Sequence, residues 1–506
     1  MIEVLSEFQY NNPRYKQQRR IVMKEWTREE RYRVLKSKDE IAPLYEINKM
    51  SNYRQKFHVQ PITGLSNDPN GFIYHQGKWH LFYQWCPWGA VHGLKYWYHV
   101  VSKDLIHWEN EGIALAPDTV FDNKGCYSGT GIILHDQLYV FYTGNHRDEN
   151  WIRKPYTCVA KLNEEGKLIK KDKPLFAPRE DYTEHQRDPM IVYVEEKQKY
   201  YIFIGARSND GRGTALVYSS SQLLDDWLFQ GELRVKGYED FGGMWECPCL
   251  TTIGDKDVLI FSPQFTKLPG RGECTNHNIY FVGKMDYDTL TFIPDTHYRY
   301  LDYGFDFYAA QMAANVEDQN KGVMIAWMGL PDNHYPTEEE QWEGSLTLPR
   351  EVYVEGDRLI QKPVEGFTKL RTREVSGQVL PSVAEMEVKC DGHSSDLNLF
   401  TKKDGNGGFT IHYDSHYKII TVDKSHLDKR FNEEVFEALD IPLDEDLDTM
   451  RIFIDQSSVE LFINGGKYTF TAHVYPTEEE TYFVHDEHFT IHTYELCSSV
   501  DEDFIV

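Results

Sequence analysis

The chain predicts an all-β protein: a five-bladed β-propeller followed by a C-terminal β-sandwich, with a short helical N-terminal extension. Three observations lead there. Five β-type runs resemble one another: 78–84 (KWHLFYQ), 137–143 (QLYVFYT), 199–205 (KYYIFIG), 257–263 (DVLIFSP) and 322–328 (GVMIAWM). Their starts lie 59, 62, 58 and 65 residues apart. Recurrence near 60 residues, with several short strands per unit, is the signature of propeller blades. A second element trails the first, third and fourth runs, at 102–108 (SKDLIHW), 221–227 (SQLLDDW) and 287–292 (YDTLTF). Near residue 350 the repeat stops and plain alternation of apolar and polar residues begins.

In chain order, residues 1–50 are charged and rich in helix formers. Thr27 followed by Glu30 resembles a capping box, so one or two short helices are expected there. Residues 51–355 hold the five repeats and read as the propeller. Residues 356–372, including 359–365 (LIQKPVE), read as a connecting segment. Residues 373–506 carry alternating runs such as 418–422 (KIITV), 451–455 (RIFID) and 458–466 (SVELFINGG). Asn464-Gly465 between β-type runs is a strong hairpin signal, which makes this a second all-β domain of sandwich type.

At 506 residues the chain exceeds one ordinary core. Aromatic content of 14% favours a strand-rich globular protein and supplies flat faces for sugar rings, although most such rings fill sheets and cores. A formal charge of −26 repels polyanions, which argues against nucleic acid or an anionic membrane as partner. A small sugar substrate is compatible with it, even a phosphorylated one, provided local cations meet the phosphate. No run approaches the roughly 18–20 apolar residues of a membrane span, and residues 1–18 lack the apolar stretch of a signal peptide. A cytoplasmic protein is therefore expected. The eight cysteines show no Cys-x-x-Cys pair, which reads as reduced thiols. Cys247-x-Cys249 fits no common zinc site, so neither metal nor cofactor is expected.

Three acids stand in compact settings whose order matters. Asp68 lies in 65–71 (LSNDPNG), Asp188 in 186–189 (QRDP) and Glu246 in 245–248 (WECP). Taken singly, each looks like an ordinary tight turn. However, Asp68 precedes the first run, Asp188 the third and Glu246 the fourth. Because the inner strands of a propeller line one axial channel, three acids on three blades can face one pocket. A carboxylate nucleophile, a carboxylic acid and an assisting carboxylate suit hydrolysis of a glycosidic bond, the retaining version needing two carboxyls about 5–5.5 Å apart. Partial desolvation between Trp245 and Cys247-Pro248 would favour a protonated Glu246, as an acid/base requires. Amides around Asp68 would hold it ionised, and Arg187 would keep Asp188 charged.

These residues resemble glycoside hydrolase family 32, the invertase and fructosidase group, over nearly the whole chain. The resemblance rests on Asn-Asp-Pro-Asn-Gly, Arg-Asp-Pro and Glu-Cys-Pro in this order. It implies a retaining β-fructofuranosidase with Asp68 as nucleophile, Glu246 as acid/base and Asp188 as transition-state stabiliser, on a five-bladed propeller followed by a sandwich. It further implies a fructose pocket lined by Leu65, Ser66, Asn67, Gln84, Tyr127, Ser128, Arg187, Tyr308 and Trp327. Two departures are visible: Ala310 stands where the family usually has proline, and Ser66 where Met is commoner. Neither removes a reacting group.

Within the family, 93–99 (GLKYWYH) and 144–153 (GNHRDENWIR) are similar to the bacterial sucrose-6-phosphate hydrolases. That likeness implies cleavage of sucrose 6-phosphate to glucose 6-phosphate and fructose. Lys95, Arg147 and Arg153 in these segments are candidate phosphate contacts, arginine being suited to bidentate pairing. The plainer reading of each is a solvated cation or an ion pair, Arg147 with Asp148 or Glu149. Rival functions are hydrolysis of unphosphorylated sucrose or short fructo-oligosaccharides, an inverting five-bladed furanosidase, and a non-catalytic sugar-binding protein. The intact acids count against the last.

Overall fold

The computed structural model describes residues 25–433 and 435–506. The first 24 residues of the expected helical extension lie outside the described residues. From residue 25 the chain forms a one-turn helix Arg28–Arg31, a 3-10 turn Lys38–Glu40 and a helix Ala42–Asn48. The capping box at Thr27 forms: the Glu30 amide donates to Thr27 Oγ1 at 3.2 Å, and the Thr27 amide donates to Glu30 Oε2 at 2.9 Å. Such short helices need tertiary support. They find it on the first blade, where the Leu94 amide donates to Arg31 O at 2.8 Å and the Trp88 indole to Arg33 O at 2.9 Å.

Five four-stranded antiparallel meanders follow. Blade I comprises Gly64–His75, Lys78–Cys86, Tyr96–Ser102 and Trp108–Leu115. Blade II comprises Cys126–Leu134, Gln137–Arg147, Arg153–Leu162 and Leu168–Lys170. Blade III comprises Tyr182–Val194, Lys199–Ser208, Gly213–Ser220 and Leu228–Val235. Blade IV comprises Met244–Ile253, Lys256–Gln264, Ile279–Asp286 and Thr291–Pro294. Blade V comprises Tyr308–Met312, Gly322–Met328, Arg350–Glu355 and Arg358–Pro363. The five runs that mark the repeat are thus the second strand of each blade. They are legible because they are buried on both faces and read as continuous apolar stretches. The trailing motifs are the turns between third and fourth strands. In two of them a tryptophan indole closes the turn, Trp108 onto Leu105 O and Trp227 onto Leu223 O, both at 3.2 Å.

The ring closes between blades V and I. Trp342–Glu343 runs parallel to the start of blade I, pairing Gly64 with Trp342 and Leu65 with Glu343, while Ser345–Leu346 pairs with blade V. The segment expected as a linker differs from expectation. Arg358–Pro363 pairs with Arg350–Glu355 as the outermost strand of blade V, so only the 3-10 stretch Glu365–Leu370 connects the domains. Pro363 resembles a strand breaker, but at an edge its missing N–H removes no ladder bond.

The C-terminal domain is a sandwich of two antiparallel sheets. One contains Val383–Cys390, Thr449–Asp455, Ser458–Ile463 and Tyr468–His473, flanked by Arg371–Val375 and Phe489–Leu496. The other contains Ser395–Thr401, Gly408–Asp414, Ile419–His426, Ala438–Pro442 and Tyr482–His485. Alternate residues such as Met386, Leu397, Ile411, Val422, Ile452 and Leu461 fill the space between them. The predicted hairpin turns at Asn464 (φ +48°) and Gly465 (φ +68°), the successive positive dihedrals that Asn-Gly tolerates. Buried charge locks this domain to the propeller. Arg350 of blade V donates to Asp302 Oδ2 at 3.0 Å and to Glu460 Oε2 at 2.6 Å. His58 bridges Asp455 at 2.8 Å and Glu460 at 2.9 Å.

Candidate active site

Each inner strand breaks register at the same level. The irregularities fall between Ser66 and Pro69 in blade I, Tyr127 and Gly129 in blade II, Arg187 and Met190 in blade III, Glu246 and Cys249 in blade IV, and Tyr308 and Gln311 in blade V. The proline-containing tetrapeptides are therefore bulges within strands rather than chain reversals. Bulges re-aim side chains and tolerate proline, which explains why Pro69, Pro189 and Pro248 accompany the acids. Asp188 (φ +64°), Cys247 (φ +47°) and Ala309 (φ +52°) occupy the left-handed region that non-glycine residues enter at a cost.

The bulges gather the acids. Asp68 Oδ1 accepts a hydrogen bond from Asn67 Nδ2 at 3.1 Å; Oδ2 accepts from Gln84 Nε2 at 3.2 Å and from Ser128 Oγ at 2.5 Å. Gln84 Nε2 also reaches Ser128 Oγ, so three blade I and II side chains form one cradle. Glu246 Oε1 accepts from Arg187 Nε at 2.8 Å and from Arg187 Nη2, and Glu246 Oε2 accepts from the Tyr308 hydroxyl at 2.7 Å. Asp188 Oδ2 accepts from the Cys247 amide at 3.1 Å. The Cys247 thiol lies 3.8 Å from Asp68 Oδ2 and 3.7 Å from Asp188 Oδ2, wedged between the two carboxyls.

Arg187 departs from the sequence expectation. Its two hydrogen bonds to a carboxylate go to Glu246, and it approaches Asp188 only to 4.0 Å. Burial pushes the Asp188 carboxyl up to about 7; Arg187 opposes this, while Glu246 and Asp68 add to it. Burial also raises Asp68, against the hydrogen bonds from Ser128 and Asn67. Lys95 is 2% exposed and donates from Nζ to Asn67 Oδ1 at 2.7 Å, so it braces the cradle from behind. Burial brings its ammonium down to about 8 against the pull of Asp68 and Glu343.

Of the remaining predicted residues, Trp327 is buried beside Tyr308 with ring centroids 6.3 Å apart, and its indole N–H has no protein acceptor among the described residues. Ser66 is buried with its hydroxyl likewise unpaired. Leu65 differs: strand alternation turns its side chain into the blade core, where it is 1% exposed. Arg153 donates from Nε to Asn145 Oδ1 at 2.8 Å and lies 5.2 Å over the Tyr127 ring. Arg147 donates to Trp151 O at 2.8 Å and stacks on that indole at 5.0 Å. It does not take the ion pair considered for it, because Asp148 caps the backbone amides of Asn150 and Ile152. His185, hydrogen bonded to Arg187 at 3.0 Å, is brought down to about 3 by burial and by Arg187, Arg153 and Arg207. Arg187 and Arg147 both lie close enough to Arg153 to act on its charge, so the cations cluster beyond the Glu246 contact.

Besides His185, four residues of the site carried no expectation. Thr143 accepts the Asp188 amide at 2.9 Å, and Gln264 meets Arg187 at 3.5 Å. Cys247 stood inside the Glu-Cys-Pro motif and was legible as a site residue. Glu343 is 6% exposed beside Leu65 in the closing strand, and burial with Glu338 raises it to about 8. No local signal marks it.

Comparison with known proteins fits this geometry. Residues 58–363 match the Glycosyl hydrolases family 32 N-terminal domain, and residues 356–496 match the Glycosyl hydrolases family 32 C terminal. The sucrose-6-phosphate hydrolase of Staphylococcus xylosus is 36% identical, covering 91% of this chain and 95% of its own. That of Bacillus subtilis is 35% identical, covering 87% and 92%. Among solved structures, sucrose-6-phosphate hydrolase from Lactobacillus gasseri superposes with a TM-score of 0.89 at 32% identity, covering 94% of this chain and all of its own. The Bombyx mori GH32 beta-fructofuranosidase BmSUC1 has a TM-score of 0.79 at 29% identity, covering 92% and 100%. With acids converging from three blades and both domains matched, the chain belongs to glycoside hydrolase family 32 and is a glycoside hydrolase.

Proposed function

We propose that this chain is a retaining β-fructofuranosidase that hydrolyses sucrose 6-phosphate to glucose 6-phosphate and fructose in the cytoplasm. The observation that carries the reaction is the pairing of a cradled Asp68 with a Glu246 held by Arg187 and Tyr308 in one buried pocket. Asp68 attacks the fructosyl anomeric carbon; Oδ1, with a single hydrogen bond, has the lone pair to spare. Glu246 gives its proton to the leaving glucosyl oxygen and later takes one from water. The Tyr308 hydroxyl can turn from donor to acceptor as Glu246 changes between carboxylate and acid. Asp188 receives sugar hydroxyls and faces the positive charge that develops on the ring, and the unpaired Trp327 indole N–H suits another hydroxyl.

The leaving group departs on the Glu246 side, where Arg153 and Arg147 belong to the cluster of cations. These two suit a phosphate on the glucosyl half, whereas Lys95 is committed to Asn67. The sucrose-6-phosphate hydrolases among the relatives support the same substrate, while a variant of the insect fructofuranosidase in complex with sucrose supports the unphosphorylated rival. The test is kcat/KM for sucrose 6-phosphate and sucrose in the wild type and Arg153→Gln. The expected result is a preference for the phosphorylated sugar that shrinks in the variant. A wild-type preference for plain sucrose would overturn the phosphate reading, and initial release of α-fructose would overturn the retaining mechanism.

A further inference from the structure

We propose a divalent-metal site at one end of the sandwich domain, formed by Asp391, His393 and His488, taking a borderline ion of the Zn²⁺ or Ni²⁺ class. The strands Val383–Cys390 and Phe489–Leu496 are antiparallel neighbours whose last pair is Cys390 with Phe489. Asp391 and His488 are the next residue on either side, and the Asp391 amide donates to His488 O at 3.2 Å, so the strand ends fix their separation. Gly392 (φ +91°) then turns the chain so that His393 comes back to the same carboxylate. His393 Nδ1 lies 2.9 Å from Asp391 Oδ1, and His488 Nδ1 lies 2.9 Å from Asp391 Oδ2. The imidazoles stack with centroids 4.6 Å apart, and the three ligand atoms fall within 4.8 Å of one another.

Those spacings suit a coordination sphere. Two ligands of a tetrahedral ion on bonds of about 2.0–2.1 Å lie about 3.3–3.4 Å apart, so each imidazole nitrogen, now 2.9 Å from the carboxylate, has only a few tenths of an ångström to move on that side. On binding, each Nδ1 gives up its proton, to Nε2 of the same ring if the imidazole is neutral or to solvent if it is charged, and modest rotation of the exposed His393 closes the remaining gap. Two imidazoles and one carboxylate favour zinc, nickel or copper over calcium or magnesium, which prefer all-oxygen shells. The site lies on the sandwich, away from Asp68 and Glu246, and would staple two loops rather than take part in hydrolysis.

The experiment uses the full chain without a polyhistidine tag, stripped with chelator and titrated with ZnCl₂ calorimetrically and by thermal unfolding. The expected result is saturable binding of one ion per chain, a rise in Tm, and unchanged kcat. His488→Gln and Asp391→Asn should each abolish both the binding and the Tm rise while leaving kcat as it was; both residues are solvent-accessible, so the variants should fold. Absence of saturable binding, or binding and Tm rise retained in both variants, would overturn the proposal. Hydrolytic activity is a separate readout, so failure here leaves the proposed reaction untouched.

Discussion

His58 should make the stability of the whole molecule fall between pH 6.5 and about 9. It is 1% exposed and touches two carboxylates, Asp455 and Glu460, at 2.8 and 2.9 Å. Burial lowers its pKa, but the two acids outweigh that and raise it from 6.5 to about 9. At about 1.4 kcal/mol per pH unit, this corresponds to about 3 kcal/mol of folded-state preference for the charged ring. Because the folded-state pKa is raised, the contribution is complete below pH 6.5 and is lost as pH rises through about 9. The informative variant is His58→Gln, which keeps a hydrogen-bond donor and removes the titration. Urea unfolding followed by tryptophan fluorescence should therefore show a wild-type advantage that shrinks by about 3 kcal/mol between pH 6 and 9.5. An advantage that stays constant across that range would refute the assignment of a charged His58 to the domain interface.

Three further outcomes are expected. Asp68→Asn should lower kcat by at least about 10³-fold, as loss of a nucleophile does, while its Tm at pH 7 matches or exceeds that of the wild type, since a buried carboxyl is replaced by a neutral amide. A fall of several degrees would mean that Asp68 holds the fold. Tyr308→Phe removes the hydroxyl donor to Glu246 Oε2 and should cost about tenfold in kcat with little change in KM, measured by steady-state kinetics. Glu343→Gln removes an acid raised from 4.5 to about 8, so its charged form burdens the fold increasingly as pH rises above 4.5. The variant should match the wild type in thermal unfolding at pH 4.5 and exceed it at pH 8.5; equal Tm values at pH 8.5 would count against that strain.

The propeller was legible because each blade buries its second strand on both faces, and five apolar runs of similar length recur as a result. The acids were legible because proline marks them, yet their setting was not. Proline after an acid is compatible with a turn and with a bulge, and only the pairing register of Tyr83 with Pro69, or of Gly205 with Arg187, distinguishes the two. Charge partners were harder still. Arg187 is adjacent to Asp188 in sequence but takes its carboxylate partner 59 residues away in Glu246, because the bulge swings neighbouring side chains apart. His58 meets Asp455 across 397 residues, a separation at which no local pattern survives.

The charge count in the pocket bears on how the enzyme holds its catalytic proton. Asp68, Asp188 and Glu246 are buried together, with Arg187 bonded to Glu246 and Lys95 reaching the cradle through Asn67, so the acids outnumber the nearby cations. Burial and the neighbouring acids raise Asp68 and bring Asp188 up to about 7, which favours holding a proton in this pocket. The proposed reaction needs one such proton, delivered to the glycosidic oxygen, and then regenerates it from water. A phosphorylated substrate would bring further negative charge to this pocket, and a cation placed among the acids to receive it would remove the reason for holding the proton. Arg153 and Arg147 avoid this conflict by hydrogen bonding to Asn145 and Trp151 rather than to the three acids. Binding of the far end and proton supply at the near end are then separable. On the proposed reading, loss of Arg153 falls on KM for the phosphorylated sugar, while kcat stays with Asp68, Glu246 and Tyr308.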